Sequence, residues 1–104
     1  MKNIALACCL SLLLVCATAF AAEYTGYISD SHCGAKHMDG SQASIDCVTS
    51  CVKTGASPIF VGMDKTVYKV SDPAKVMAFL GKKVQVTGTM KGDTVTIEKV
   101  VAAK

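Results

Sequence analysis

Three cysteines and two histidines crowd into the stretch SDSHCGAKHMDGSQASIDCVTSC, residues 29–51. Cys33, His37, Cys47 and Cys51 stand in a Cys-x3-His-x9-Cys-x3-Cys spacing. Three thiolates and one imidazole are a donor set for tetrahedral structural zinc, and soft thiolates also hold copper(I). The pattern therefore predicts a transition-metal site with those four residues as ligands and zinc or copper as the ion. His32 and Met38 are additional donors, and Asp30 stands where it could orient a histidine from behind.

Two other chemistries suit the same cysteines. In an oxidising compartment a small domain uses cysteines as disulfides. A bridge from Cys33 to Cys47 or Cys51 would contribute about 3 kcal/mol by restricting the unfolded chain, with one thiol left over. A Cys47–Cys51 bridge is awkward, because a helix holds those side chains parallel. A stapled domain of this kind would act as a module for a protein or glycan partner. The remaining chemistry is a reactive thiol, with His32 or His37 lowering the pKa of Cys33 for redox work. No C-x-x-C pair and no thioredoxin-like βαβ pattern accompanies that thiol, and C-x-x-C-H, the haem-attachment signature, is absent. Metal binding is the function the spacing points to, in a domain that is not an enzyme.

The cysteines need elements to position them. Residues four apart lie on one face of a helix, and the run around Cys47 and Cys51 predicts one, capped by Ser44 and followed by Gly55. Ile45, Val48 and Val52 form its apolar stripe, with the cysteines on the flank. EYTGYIS alternates as a strand with one buried face. SPIFVGM and TVYKVS predict a hairpin turning at Asp64-Lys65. SDPAKVMAFLG carries helix punctuation, with Asp72 as N-cap, Pro73 at the first position and Gly81 past the end. Val84, Val86, Gly88 and Met90 alternate inward, the chain turns at Lys91-Gly92-Asp93, and Val95 and Ile97 face in on the return. Continuing that alternation would bury Lys99, so a bulge or strand end is expected near Glu98.

Five strands, with a short helix between the third and fourth and the Cys/His helical insertion between the first and second, predict a mainly β, OB-fold-like barrel. A twisted open sheet carrying one helix has the same periodicities, but closure removes the exposed edges a small sheet must protect. Tyr24, Tyr27, Phe60 and Tyr68 are read as packing residues, Met63, Met77 and Met90 as core filler, and Asp39 and Asp46 as turn or cap residues.

The chain opens MKNIALACCLSLLLVCATAFAAE, one lysine ahead of an apolar block and small residues. This predicts a secretory signal peptide at residues 1–21, cut after Ala19-Phe20-Ala21. The block falls short of the roughly 20 residues a membrane span needs, and no second apolar run follows. Val15 before Cys16 disfavours lipidation. Residues 22–104 then form one OB-like domain, with the insertion at about residues 30–55. It carries three cysteines, ten lysines, eight acids and no arginine. So mild a charge without arginine forks argues against nucleic acid as a partner. The expected address is periplasmic or extracellular.

TGYISDSHCGAKH, CVTSCVKTGASPIFV, VYKVSD and GKKVQVTGTMKGDTVTIEKV together resemble a family of short exported bacterial proteins with no assigned activity. The resemblance runs from about Tyr24 to Val101, and its Y-I-S-D-x-x-C-G motif with paired cysteines is its most specific part. The carboxy-terminal half is also similar to bacterial OB-fold periplasmic proteins through its V-x-V-T-G-x-x-x-G-D-T hairpin. These resemblances imply a fold and an address. The chemistry rests on the residues.

Overall fold

The computed structural model describes residues 20–104. The expected leader lies outside the described residues except for Phe20 and Ala21, which are exposed. Five strands, β1 (Ala22–Asp30), β2 (Pro58–Gly62), β3 (Val67–Val70), β4 (Lys83–Lys91) and β5 (Thr94–Ala102), close in a ring in the order β1-β2-β3-β5-β4. Neighbours are antiparallel except β3 and β5, which pair parallel at Lys69↔Thr94 and Val70↔Val95. The β1–β2 connection carries a 3-10 turn (Gly34–Lys36) and helix α1 (Gln42–Lys53). Among the described residues no helix is long and apolar enough to cross a membrane.

Alternation fills the ring. Val84 and Val86 on β4, Val95 and Ile97 on β5, and Phe60 on β2 are all at most 1% exposed, and Ile28 and Val70 join them. The expected bulge is present: Thr87 pairs with Lys99 while Gly88 pairs with Ile97, so Glu98 is the extra residue. It returns Lys99 to solvent. Gly88 sits opposite this kink, where a Cβ would collide with the Thr96 carbonyl oxygen.

Three local expectations are corrected. The β2–β3 turn is longer than two residues: Gly62 N–H donates to the Thr66 carbonyl and Lys65 takes φ 70°. The segment after β3 is a 3-10 helix, Pro73–Phe79, without a side-chain bond from Asp72. Val76 within it and Leu80 at its end are buried. Its end is drawn out of helical geometry because Leu80 bridges to Ile28 and Gly81 N–H donates to the Ile28 carbonyl at 2.7 Å. Met63 and Met77 are 54% and 48% exposed, so only Met90 packs against the core.

Strand β1 departs from one-sided burial in its second half. Every residue from Gly26 to Asp30 is buried. The insertion covers the second face: Ser29 Oγ donates to the Gly34 carbonyl at 2.7 Å, and Gly40 lies over the Tyr27 ring.

Candidate metal centre

The insertion is clamped at its root. Ser31 N–H donates to the Ser57 carbonyl at 2.8 Å, and Ser57 N–H returns a bond to Ser31 Oγ at 2.9 Å. Just before this clamp, Asp30 ends β1 fully buried, and its Oδ1 accepts from the backbone N–H groups of His32 and Cys33, both at 2.9 Å. Two bonds to one oxygen tighten the chain into a turn that holds Cys33 beside the strand end.

Helix α1 supplies the other two cysteines. Its N-cap is Ser41, whose Oγ accepts from Ser44 N–H at 3.1 Å; Ser44, the expected cap, is buried one turn inside. Val48 is fully buried in the core, Val52 packs against it, and Ile45 is half-buried, so the expected stripe seats the helix. Thr54 N–H and Ala56 N–H bond the Cys51 carbonyl, and Gly55 follows at φ 116°. That ending turns the chain back to β2.

Strand end and helix flank thus bring Cys33, Cys47 and Cys51 together. Their sulfurs all lie within 4.8 Å of one another, each side chain half-buried, close enough to hold one metal ion. No pair is at disulfide bonding distance. Burial pushes the Cys33 thiol up to about 11, and the charge of Asp30, followed by Cys51 and Cys47, adds to the rise. Cys51 is raised as well, by burial first and Asp30 second. A redox nucleophile needs the opposite shift.

His37, the fourth ligand expected from the spacing, is not among this group. Its Nδ1 lies 3.3 Å from Ser44 Oγ, and Ser44 donates to Asp39 Oδ1 at 2.7 Å. The contact of Nδ1 with Ser44 anchors the ring to the start of α1. Asp39 also accepts from Ser41 N–H at 3.0 Å, and these bonds hold its carboxyl down at about 2. The turn role expected of Asp39 is present, and Asp46 accepts from Gln42 Nε2 at 2.9 Å. Asp30 binds the backbone of the turn and not a histidine ring.

Cys51 also opens to solvent. An open, polar cavity of about 520 Å³ is lined by Ser31, His32, Cys51, Thr54, Gly55 and Ala56.

Comparison with family models, with curated proteins and with solved structures finds no match. What the spacing missed is the state of Asp30. Among the described residues its Oδ2 is buried without a hydrogen-bond partner, on the residue whose Oδ1 accepts from Cys33 N–H. The sequence signal for it was local: an aspartate at the end of a β run, three residues before a cysteine.

Proposed function

We propose that this protein is a small exported metal-binding domain that holds one transition-metal ion through the thiolates of Cys33, Cys47 and Cys51. The observation that carries the reading is the convergence of three sulfurs within 4.8 Å from a strand end and a helix flank 14 residues apart in sequence at their nearest, 33 and 47. Raised thiols suit ligands that stay protonated until a metal displaces the protons. They do not suit a catalytic thiolate.

The ring order, with parallel closure of β3 on β5 and a helical segment between β3 and β4, supports reading the barrel as OB-like. In that fold the β1–β2 loop is one of two that carry ligands, and the insertion occupies it. The apolar leader and its small-residue cut site support export to the periplasm or beyond, and β1 beginning at Ala22 keeps the folded part clear of the cut.

The reading is tested by titrating the reduced protein with zinc and with copper(I) against chromophoric competitors. One equivalent bound, and lost when the cysteines are alkylated, is the expected result. No uptake of either ion by fully reduced protein would sink it.

A further inference from the structure

Three thiolates leave a tetrahedral ion one donor short. Among the described residues only the three sulfurs fall in the 4.8 Å group, so a fourth donor must swing in from beside it. His37, His32 and Asp30 flank the cysteines in the chain, and they differ in what already occupies them. His37 is tied through Nδ1 to Ser44, within the hydrogen bonds that start α1. His32 is exposed on the cavity wall. Asp30 is fully buried, and among the described residues its Oδ2 has no hydrogen-bond partner. A carboxylate oxygen in that state destabilises the fold unless something meets it. Its charge is close enough to raise both Cys33 and Cys51. The only ion pair among the described residues is Lys69–Asp93, so no lysine neutralises Asp30.

We infer that Asp30 Oδ2 supplies the fourth donor of the cysteine centre, completing a three-sulfur, one-oxygen site for a divalent ion of the zinc class. The inference rests on the metal-binding reading above and sharpens it. Oδ1 holds the turn that presents Cys33, while Oδ2 is left for the ion, so one side chain sets a ligand in place and serves as another. Four anionic donors call for a dication, and a carboxylate is a poor ligand for soft copper(I), so the set selects zinc over copper. The burden of the unmet oxygen falls on the metal-free protein and is relieved on binding.

The test compares wild type with Asp30→Asn and His37→Ala, using zinc and, as a spectroscopic probe, cobalt(II). Asparagine keeps the Oδ1 acceptor for His32 and Cys33, so the turn is retained. The expected result is a loss of zinc affinity of about tenfold or more in Asp30→Asn, with altered cobalt ligand-field bands. The metal-free variant should melt no lower than wild type, because a buried unmatched charge is gone. That pairing of weaker binding with undiminished stability is what a purely structural role would not produce. His37→Ala should keep its affinity, and X-ray absorption at its zinc edge should retain three sulfurs near 2.3 Å and one oxygen near 2.0–2.2 Å. The His37→Ala spectrum needs no change at Asp30, so it stands even if Asp30→Asn folds poorly. Unchanged zinc affinity in Asp30→Asn, or loss of the light ligand in His37→Ala, overturns the assignment while leaving a thiolate site. Wild type that binds neither zinc nor cobalt overturns the site and this inference together.

Discussion

The ring and the insertion hold their shapes by different means. The ring buries Ile28, Phe60, Val61, Val84, Val86, Val95 and Ile97 almost completely, each worth roughly 1.5–3 kcal/mol of transfer free energy. Between Ser31 and Ser57 the only buried residues are Ser44 and Val48. The insertion is fixed instead by polar bonds: the Ser31–Ser57 clamp, the Asp30 turn and the Ser41–Ser44–Asp39 cluster. Net gains from such bonds are about 1 kcal/mol each, so this region is the less stable of the two. A bound ion would add what burial does not, as metals commonly do in small domains. Apolar area builds the platform, and the chemistry sits where that area runs out.

Core truncation should break the contrast most severely. Phe60→Ala should cost about 3–5 kcal/mol, read as a fall in denaturant midpoint, and should take metal binding with it if the ring unfolds. Next comes pH, which should act on the insertion and spare the ring. Cys33 and Cys51, both raised, must each lose a proton to solvent before they bind the metal, and so must Cys47. Affinity should fall by about a thousandfold per unit as pH is lowered below neutrality, roughly tenfold for each of the three protons displaced. Competition titrations at pH 6, 7 and 8 read this, and a flat profile would contradict thiolate ligation.

Removing one sulfur should separate the regions cleanly. Cys47→Ser should weaken zinc binding by about a hundredfold or more and abolish the zinc-dependent rise in Tm. Metal-free stability should move by about 1 kcal/mol or less, as for a half-buried site outside the core. Gly81→Ala tests the seam. Gly81 takes φ 77° and a Cβ there would press on Ile45 of α1. The helix should shift on the ring, with about 1–3 kcal/mol lost and weaker metal binding in the same variant.

Acid should give the smallest effect. Asp39, held at about 2 against an ordinary value of 3.8, stabilises the start of α1 above pH 4. That stabilisation is lost as pH falls through about 2. Asp39→Asn should flatten this part of the stability–pH curve, measured by thermal melts from pH 5 to pH 2.

The ring was legible in the sequence because its signals are periodic. Val84, Val86, Val95 and Ile97 alternate, and the misfit of Lys99 points to a bulge or strand end near Glu98, where the structure has a bulge. The seat of α1 on Val48 and Val52 followed from helical spacing in the same way. What escaped depends on chain meeting chain. The second buried face of β1 arises because the insertion folds back over Tyr27 and Ser29, and no local pattern announces it. The loosened end of the Pro73–Phe79 helix reflects the pull of Ile28 on Leu80 and Gly81, also a long-range event. At the site, the three cysteines were found by spacing. The placing of His37 on Ser44 and the unmet Oδ2 of Asp30 depend on burial, which residue types alone do not reveal.

The measurement that bears most directly on the cysteine centre is the intact mass of the protein, first native and then after denaturation in acid. The expected result is a native mass higher by one metal ion, less the displaced protons, with Cys33, Cys47 and Cys51 all free to alkylate once unfolded. A mass lower than the reduced chain by two hydrogens in both conditions, with no ion bound, would mean a disulfide and one spare thiol, and would contradict the metal centre.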